Sequence, residues 1–122
     1  MEDAVKEKPV LDKADLMSRL DDDHELAVEL AMLFISDVRE KLVSLDDAVN
    51  SGLGPEIEKE AHSLKGSASN LSAERIRYIA GLIEVAAKNN DMGTVLSCHR
   101  MIRPAIDELI EVLRTDIISA FG

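Results

Sequence analysis

Almost nothing in this chain is aromatic: it has no tryptophan, one tyrosine and two phenylalanines among 122 residues. With 46% hydrophobic residues, any core must be built from Leu, Ile, Val, Ala and Met, which suits packed helices more than a β-sandwich. Cysteine is equally scarce. Cys98 stands alone, which excludes an internal disulfide and fits a reducing compartment. In a helical stretch it reads as a small buried hydrophobe. No apolar run approaches the ~18 residues that span a bilayer. Met1 to Pro9 is charged and lacks the apolar centre of a signal peptide, so the expected location is the cytoplasm. Positive charge is also in short supply: 14 Lys plus Arg face 24 Asp plus Glu, a formal charge of −10. That argues against nucleic acid, whose affinity comes largely from neutralised phosphates, and against an anionic membrane surface.

What is present is helical periodicity. Residues 1–9 are charged, without apolar period and closed by Pro9, which predicts a disordered tail. Residues 10–120 form the domain. Leu11, Leu16, Met17 and Leu20 suggest a short first helix across the end of a bundle. A long helix from about Asp23 to Asn50 follows, with Leu26, Leu30, Leu33, Phe34, Val38, Leu42, Leu45 and Val49 three and four residues apart. After the turn Ser51-Gly52-Leu53-Gly54-Pro55 comes a helix to about Ser69, then Asn70-Leu71-Ser72 reverses the chain. Ala73 to Lys88 would bury Ile76, Ile79, Ala80, Ile83 and Ala87; Met92 to Ile118 would bury Val95, Ile102, Ile106, Leu109, Leu113 and Ile117. Pro104 should bend or split that last helix, because its ring displaces the carbonyl of Arg100. The expectation is all-α: an antiparallel up-down-up-down four-helix bundle with a short additional N-terminal helix.

The third bundle helix carries the chemistry. At 100° per residue, Ile57, Ala61, Leu64 and Ala68 form its buried stripe, and His62 falls roughly 130° from the centre of that stripe. An exposed histidine on a helix is ordinarily a solvated side chain. Its neighbours give it more to do. A glycine inside a helix costs about 1 kcal/mol relative to alanine, so Gly66, one turn on, calls for a reason; it clears an approach to the imidazole. Lys65, at i+3, can lean toward an anion carried by the ring. A nucleophilic nitrogen, a cation and a cleared approach suit a histidine that carries a phosphoryl group.

His62-x-Leu64-Lys65-Gly66-Ser67-Ala68-x-x-Leu71 resembles the signature of the histidine-containing phosphotransfer (HPt) domains of bacterial multistep phosphorelays. The likeness extends to Pro9-Val10-Leu11-Asp12, Leu30-x-x-x-Phe34 and Leu82-Ile83-Glu84, so it covers roughly residues 9 to 115. Family members often have glycine where Ser69 and Ser72 stand, and a capping aspartate near Leu53. Ser72 reads as a helix N-cap, and Gly54-Pro55 can start a helix without the aspartate. The resemblance implies a phosphocarrier and not an enzyme. His62 would accept phosphate on Nε2 from a receiver-domain aspartate and pass it to another receiver aspartate. Glu84 would hold Nδ1, Lys65 would offset phosphoryl charge, and Ser69 would donate to the phosphoryl oxygens. By residue type alone, Lys65 and Glu84 also pass as plain surface charges and Ser69 as a small packing residue. Mg²⁺ would sit on the receiver only, leaving this chain without cofactor or metal. The implied partners are response-regulator receiver domains and a hybrid sensor histidine kinase, met by a monomer.

Docking needs apolar surface. Val28, Met32 and Ile35 form a second stripe on the long helix, and Met32 and Ile35 are expected to border the receiver interface. Two other readings fit a bundle. One is an adaptor that carries no phosphate. The other is a di-metal carboxylate site, which needs Glu-x-x-His pairs; the nearest pattern here is Asp21-x-x-His24. His24 and His99 carry no functional expectation.

Overall fold

The computed structural model describes residues 1–122. Helices α1 (Glu2–Glu7) and α2 (Lys13–Arg19) precede four longer ones: α3 (His24–Ser51), α4 (Gly54–Asn70), α5 (Glu74–Lys88) and α6 (Met92–Val112). A π-helical segment (Leu113–Ile118) and the short α7 (Ser119–Phe121) complete the chain. No strand competes. Successive long helices pack side by side, and α6 returns to α3, while α4 and α6 are not adjacent. They therefore lie diagonally across an up-down-up-down bundle.

Local chemistry sets the helix boundaries. Asp12, Asp23 and Asp91 each accept a backbone N–H from the first turn that follows, at 3.0, 3.0 and 3.2 Å, satisfying donors the helix leaves open. Gly52 ends α3 at φ +70°, a left-handed cap that glycine adopts without strain. Gly54 starts α4 against the end of α5, where an added Cβ would stand 2.9 Å from the Ala87 carbonyl oxygen; Pro55 follows in the first turn.

The stripes predicted for α4, α5 and α6 are all buried, and Cys98 is buried with them. On α3 the core is Phe34, Val38, Leu42, Leu45 and Val49 together with Ala27, Ala31 and Ala48. Leu26 and Leu33 are surface residues instead. They sit further round α3, and α4 ends at Asn70 without covering them. Helix α6 runs unbroken through Pro104. That proline is on the exposed face, so the Arg100 carbonyl it displaces is open to water. The irregular turn comes later, at Leu113–Ile118, where the Thr115 hydroxyl donates to the Glu111 and Val112 carbonyls.

Two further expectations are corrected. The tail is not disordered: α1 buries Val5, and Arg75 reaches over to donate to the carbonyls of Lys6 and Lys8 at 3.1 and 3.0 Å. One anchored valine and an arginine tie suffice for a segment with no apolar period of its own. Ser72 is not a helix cap: α5 starts after Ala73 without a side-chain cap. Ser72 is buried with φ +56°, a conformation that favours glycine. Its hydroxyl donates to Asp15 Oδ2 at 2.6 Å and accepts from Arg19. These part-buried bonds offset the backbone strain and tie α2 to the α4–α5 turn.

Candidate functional site

His62 stands on the outer face of α4, one residue after buried Ala61 and two before buried Leu64. Its side chain is 70% exposed. The opposite is true of the carboxylate it meets: Glu84, on α5, is only 18% exposed and accepts from His62 Nδ1 at 2.6 Å through Oε2. Lys65 donates to the other oxygen, Oε1, of the same carboxylate. Its stem crosses α5 at Gly81, where an added Cβ would be 3.7 Å from Lys65 Cδ. Small residues on both helices (Ala61, Ala68, Ala80, Gly81) let α4 and α5 approach closely enough for these contacts.

The electrostatics follow from the geometry. The Lys65 ammonium, and after it the His62 ring, hold the Glu84 carboxyl below its ordinary value of 4.5, against the partial burial that pushes it up. An ionised carboxylate can only accept, so Nδ1 must carry the proton. In the neutral ring the Nε2 lone pair is then free, and Nε2 has no partner within the protein. A fixed tautomer with its basic nitrogen outward is a nucleophile aimed at solvent.

Gly66 lies on the same outer face. A Cβ there would meet no atom within 4 Å, so nothing inside the molecule requires glycine. Ser69 does not join the site. It is two helical turns beyond His62, roughly 10 Å along the axis, and its hydroxyl donates back to the Lys65 carbonyl at 2.9 Å. Met32 and Ile35 do not join it either. Ile35 lines a groove between α3 and α6, and Met32, one turn earlier, shares that side by helical register. The large exposed apolar residue of α3 beside α4 is Leu33, 58% exposed, in a groove shared with Leu30, Ser67 and Asn70.

The 100° register puts Glu58 on the face of His62, but sequence reasoning gave it no role and passed over Lys59; both share a shallow concavity with Pro55, His62 and Glu84. Their spacing of three and four residues before His62 was the available signal. It also passed over Lys41, whose ammonium donates to Ser63 Oγ at 2.7 Å and ties α3 to the residue after the histidine. No group of three or more His, Cys, Asp or Glu side chains is placed to share a metal ion.

Comparison with known proteins places the chain in a family. The chain is 28% identical over 89 residues to the phosphorelay intermediate protein rdeA of Dictyostelium discoideum, a match that covers 73% of this chain. It spans only about a third of that relative's length, 35%. No solved structure matches it. The family model described as the Hpt domain matches residues 29–116, which contain His62, Lys65, Gly66 and Glu84. The chain therefore belongs to the Hpt domain family.

Proposed function

We propose that this chain is a histidine phosphocarrier and that His62 is its phosphoacceptor. The Nε2 lone pair attacks the phosphorus of an aspartyl phosphate on a receiver domain; a P–N bond forms, the P–O bond to the aspartate breaks, and the carboxylate leaves. The proton on Nδ1 stays in place. The ring is then a phosphorylated imidazolium, and its positive charge faces the Glu84 carboxylate. In the second half the electron pair of the P–N bond returns to Nε2 as another receiver's aspartate takes the phosphoryl group. Glu84 thus acts on both halves through the ring. It orients the nucleophile, then stabilises the cationic ring while the phosphoryl group resides there.

Lys65 acts through Glu84, keeping the carboxylate ionised and in place; its bond to that oxygen argues for positioning over direct contact with phosphate. Phosphoryl transfer asks for in-line geometry and neutralised charge, and the Mg²⁺ that supplies the latter belongs to the receiver in this reading. The receiver settles over His62 and Gly66 and along the apolar edge Leu26, Leu30 and Leu33. Met32 and Ile35 have no part in that contact. A modest, transient interface suits a carrier that must exchange partners.

One observation carries the reading: an imidazole whose Nδ1 is held by a sheltered carboxylate, with Nε2 unpartnered and open space one helical turn beyond. The test is incubation with a phosphorylated receiver, followed by a search for acid-labile, base-stable label. Wild-type protein should take the label and His62→Gln should not. Equal labelling of the two would sink the carrier reading, and receiver binding without label would favour the adaptor.

A further inference from the structure

On the side of the bundle away from α4, the groove between α3 and α6 has an apolar floor that includes Ile35, Ile106 and Ile110. Three arginines, Arg39, Arg103 and Arg114, line its walls. The chain contains only 14 basic residues against 24 acidic ones, so this concentration of arginine runs against the charge of the molecule. Arg103 is partly satisfied, donating to Asp46 Oδ2 at 3.0 Å while His99 Nε2 contacts the other oxygen at 2.7 Å. Arg39 and Arg114 have no ion pair and no side-chain hydrogen bond in the protein. One carboxylate, Asp107, also lines the groove.

Apolar surface continues past it in both directions. Met32 is 57% exposed, Val43 51% and Leu96 43%, and helical register puts all three on the α3–α6 side. The floor, the free guanidinium groups and the exposed flanks make a long amphipathic strip between two antiparallel helices. A third helix laid along such a strip buries one apolar face and presents its polar flanks to the walls. Guanidinium groups select carboxylates there, because the planar fork matches the carboxylate in geometry and charge.

We propose that the α3–α6 groove is a second docking surface, and that its occupant is an acidic amphipathic helix of another protein. The surface is independent of the His62 reading, and it lies on the opposite side of the bundle from α4. The net charge of −10 repels acidic segments elsewhere on the molecule, so such a helix binds only where the arginines stand. A carrier held by this face keeps its histidine free, so tethering and phosphotransfer can occur together.

The test uses the full chain, ¹⁵N-labelled, titrated with a synthetic amphipathic helical peptide that carries leucine on one face and glutamate on its flanks. A second peptide has lysine for every glutamate. Saturable shifts should map to the α3–α6 face, and the glutamate peptide should bind roughly tenfold tighter than the lysine peptide. Arg39→Glu/Arg114→Glu should reverse that preference while leaving the circular dichroism and transfer through His62 unchanged. Met32→Asp, at an exposed position, should weaken both peptides. The proposal falls if no saturable shift appears, if the lysine peptide binds as well, or if the shifts map to Leu33 and His62. It also falls if the same amides shift with protein concentration alone, since the occupant would then be a second copy of this chain.

Discussion

Replacing Gly66 by alanine separates what the fold needs from what a partner needs. The added methyl would meet nothing within 4 Å, and position 66 is in the interior of a 17-residue helix. The substitution should therefore yield the ordinary helix-propensity gain of glycine to alanine, about 0.8–1 kcal/mol. For a chain of this size the melting temperature should rise by roughly 3–5 °C. Transfer should move the other way, because a methyl one turn from His62 occupies the space over which the receiver approaches. A displacement of about 1 Å in a reacting geometry costs up to about 100-fold in rate. Gly66→Ala should thus slow transfer by about tenfold and Gly66→Glu by at least 100-fold, with both proteins helical. Thermal denaturation and quenched-flow transfer from a phosphorylated receiver give the two numbers. A Gly66→Ala protein that is stabilised yet transfers at the wild-type rate would refute the steric reasoning; one that is destabilised would refute the claim of open space.

Other perturbations follow from the same contacts. Glu84→Ala should leave His62 able to take label but slow the transfer by about tenfold to 100-fold, from lost orientation of the ring; Glu84→Gln, which keeps an acceptor, should fall between, measured as single-turnover rates. Glu84, Asp15 and Asp91 all sit below their ordinary values, held there chiefly by Lys65, Ser72 and Thr94 respectively. The unfolded chain therefore takes up protons first, so their stabilisation is complete above about pH 4.5 and is lost as pH falls through the lower folded values; urea titrations at several pH values should show it, with a shallower slope in Glu84→Gln. Ser72→Ala should destabilise by about 1 kcal/mol through lost hydrogen bonds whose charged partners are half-exposed, and Ser72→Gly by less, since glycine accepts the positive φ; equal losses would show that the backbone strain is negligible. Val5→Asp should release α1 and cost about 1.5–3 kcal/mol of burial, seen as rapid amide exchange over residues 2–7.

The four long helices, their starting points to within a residue or two and the buried stripes of α4, α5 and α6 were legible in the chain because burial imposes a 3.6-residue period on the residue types; the irregular turn at Leu113–Ile118 was not. His62 was legible for the same reason: an angle measured from the buried stripe says outward whatever the neighbours are. Periodicity fixes only that angle. It does not say which neighbour lies to the left of the stripe and which to the right, since that depends on the direction in which the bundle turns. Met32 and Leu33 are both exposed residues of α3; packing alone put Leu33 beside α4 and left Met32 on the α6 side. The same limit hid Ser72, whose partners Asp15 and Arg19 come from 57 and 53 residues away, and α1, which is held by the burial of Val5 and by Arg75 from α5. Glu84 stands between these cases. Its helix was written in the sequence, but its carboxylate reaches His62 only because small residues bring α4 and α5 together. What a residue does relative to its own helix axis is local chemistry and can be read along the chain; what it meets across the bundle is decided when the helices pack.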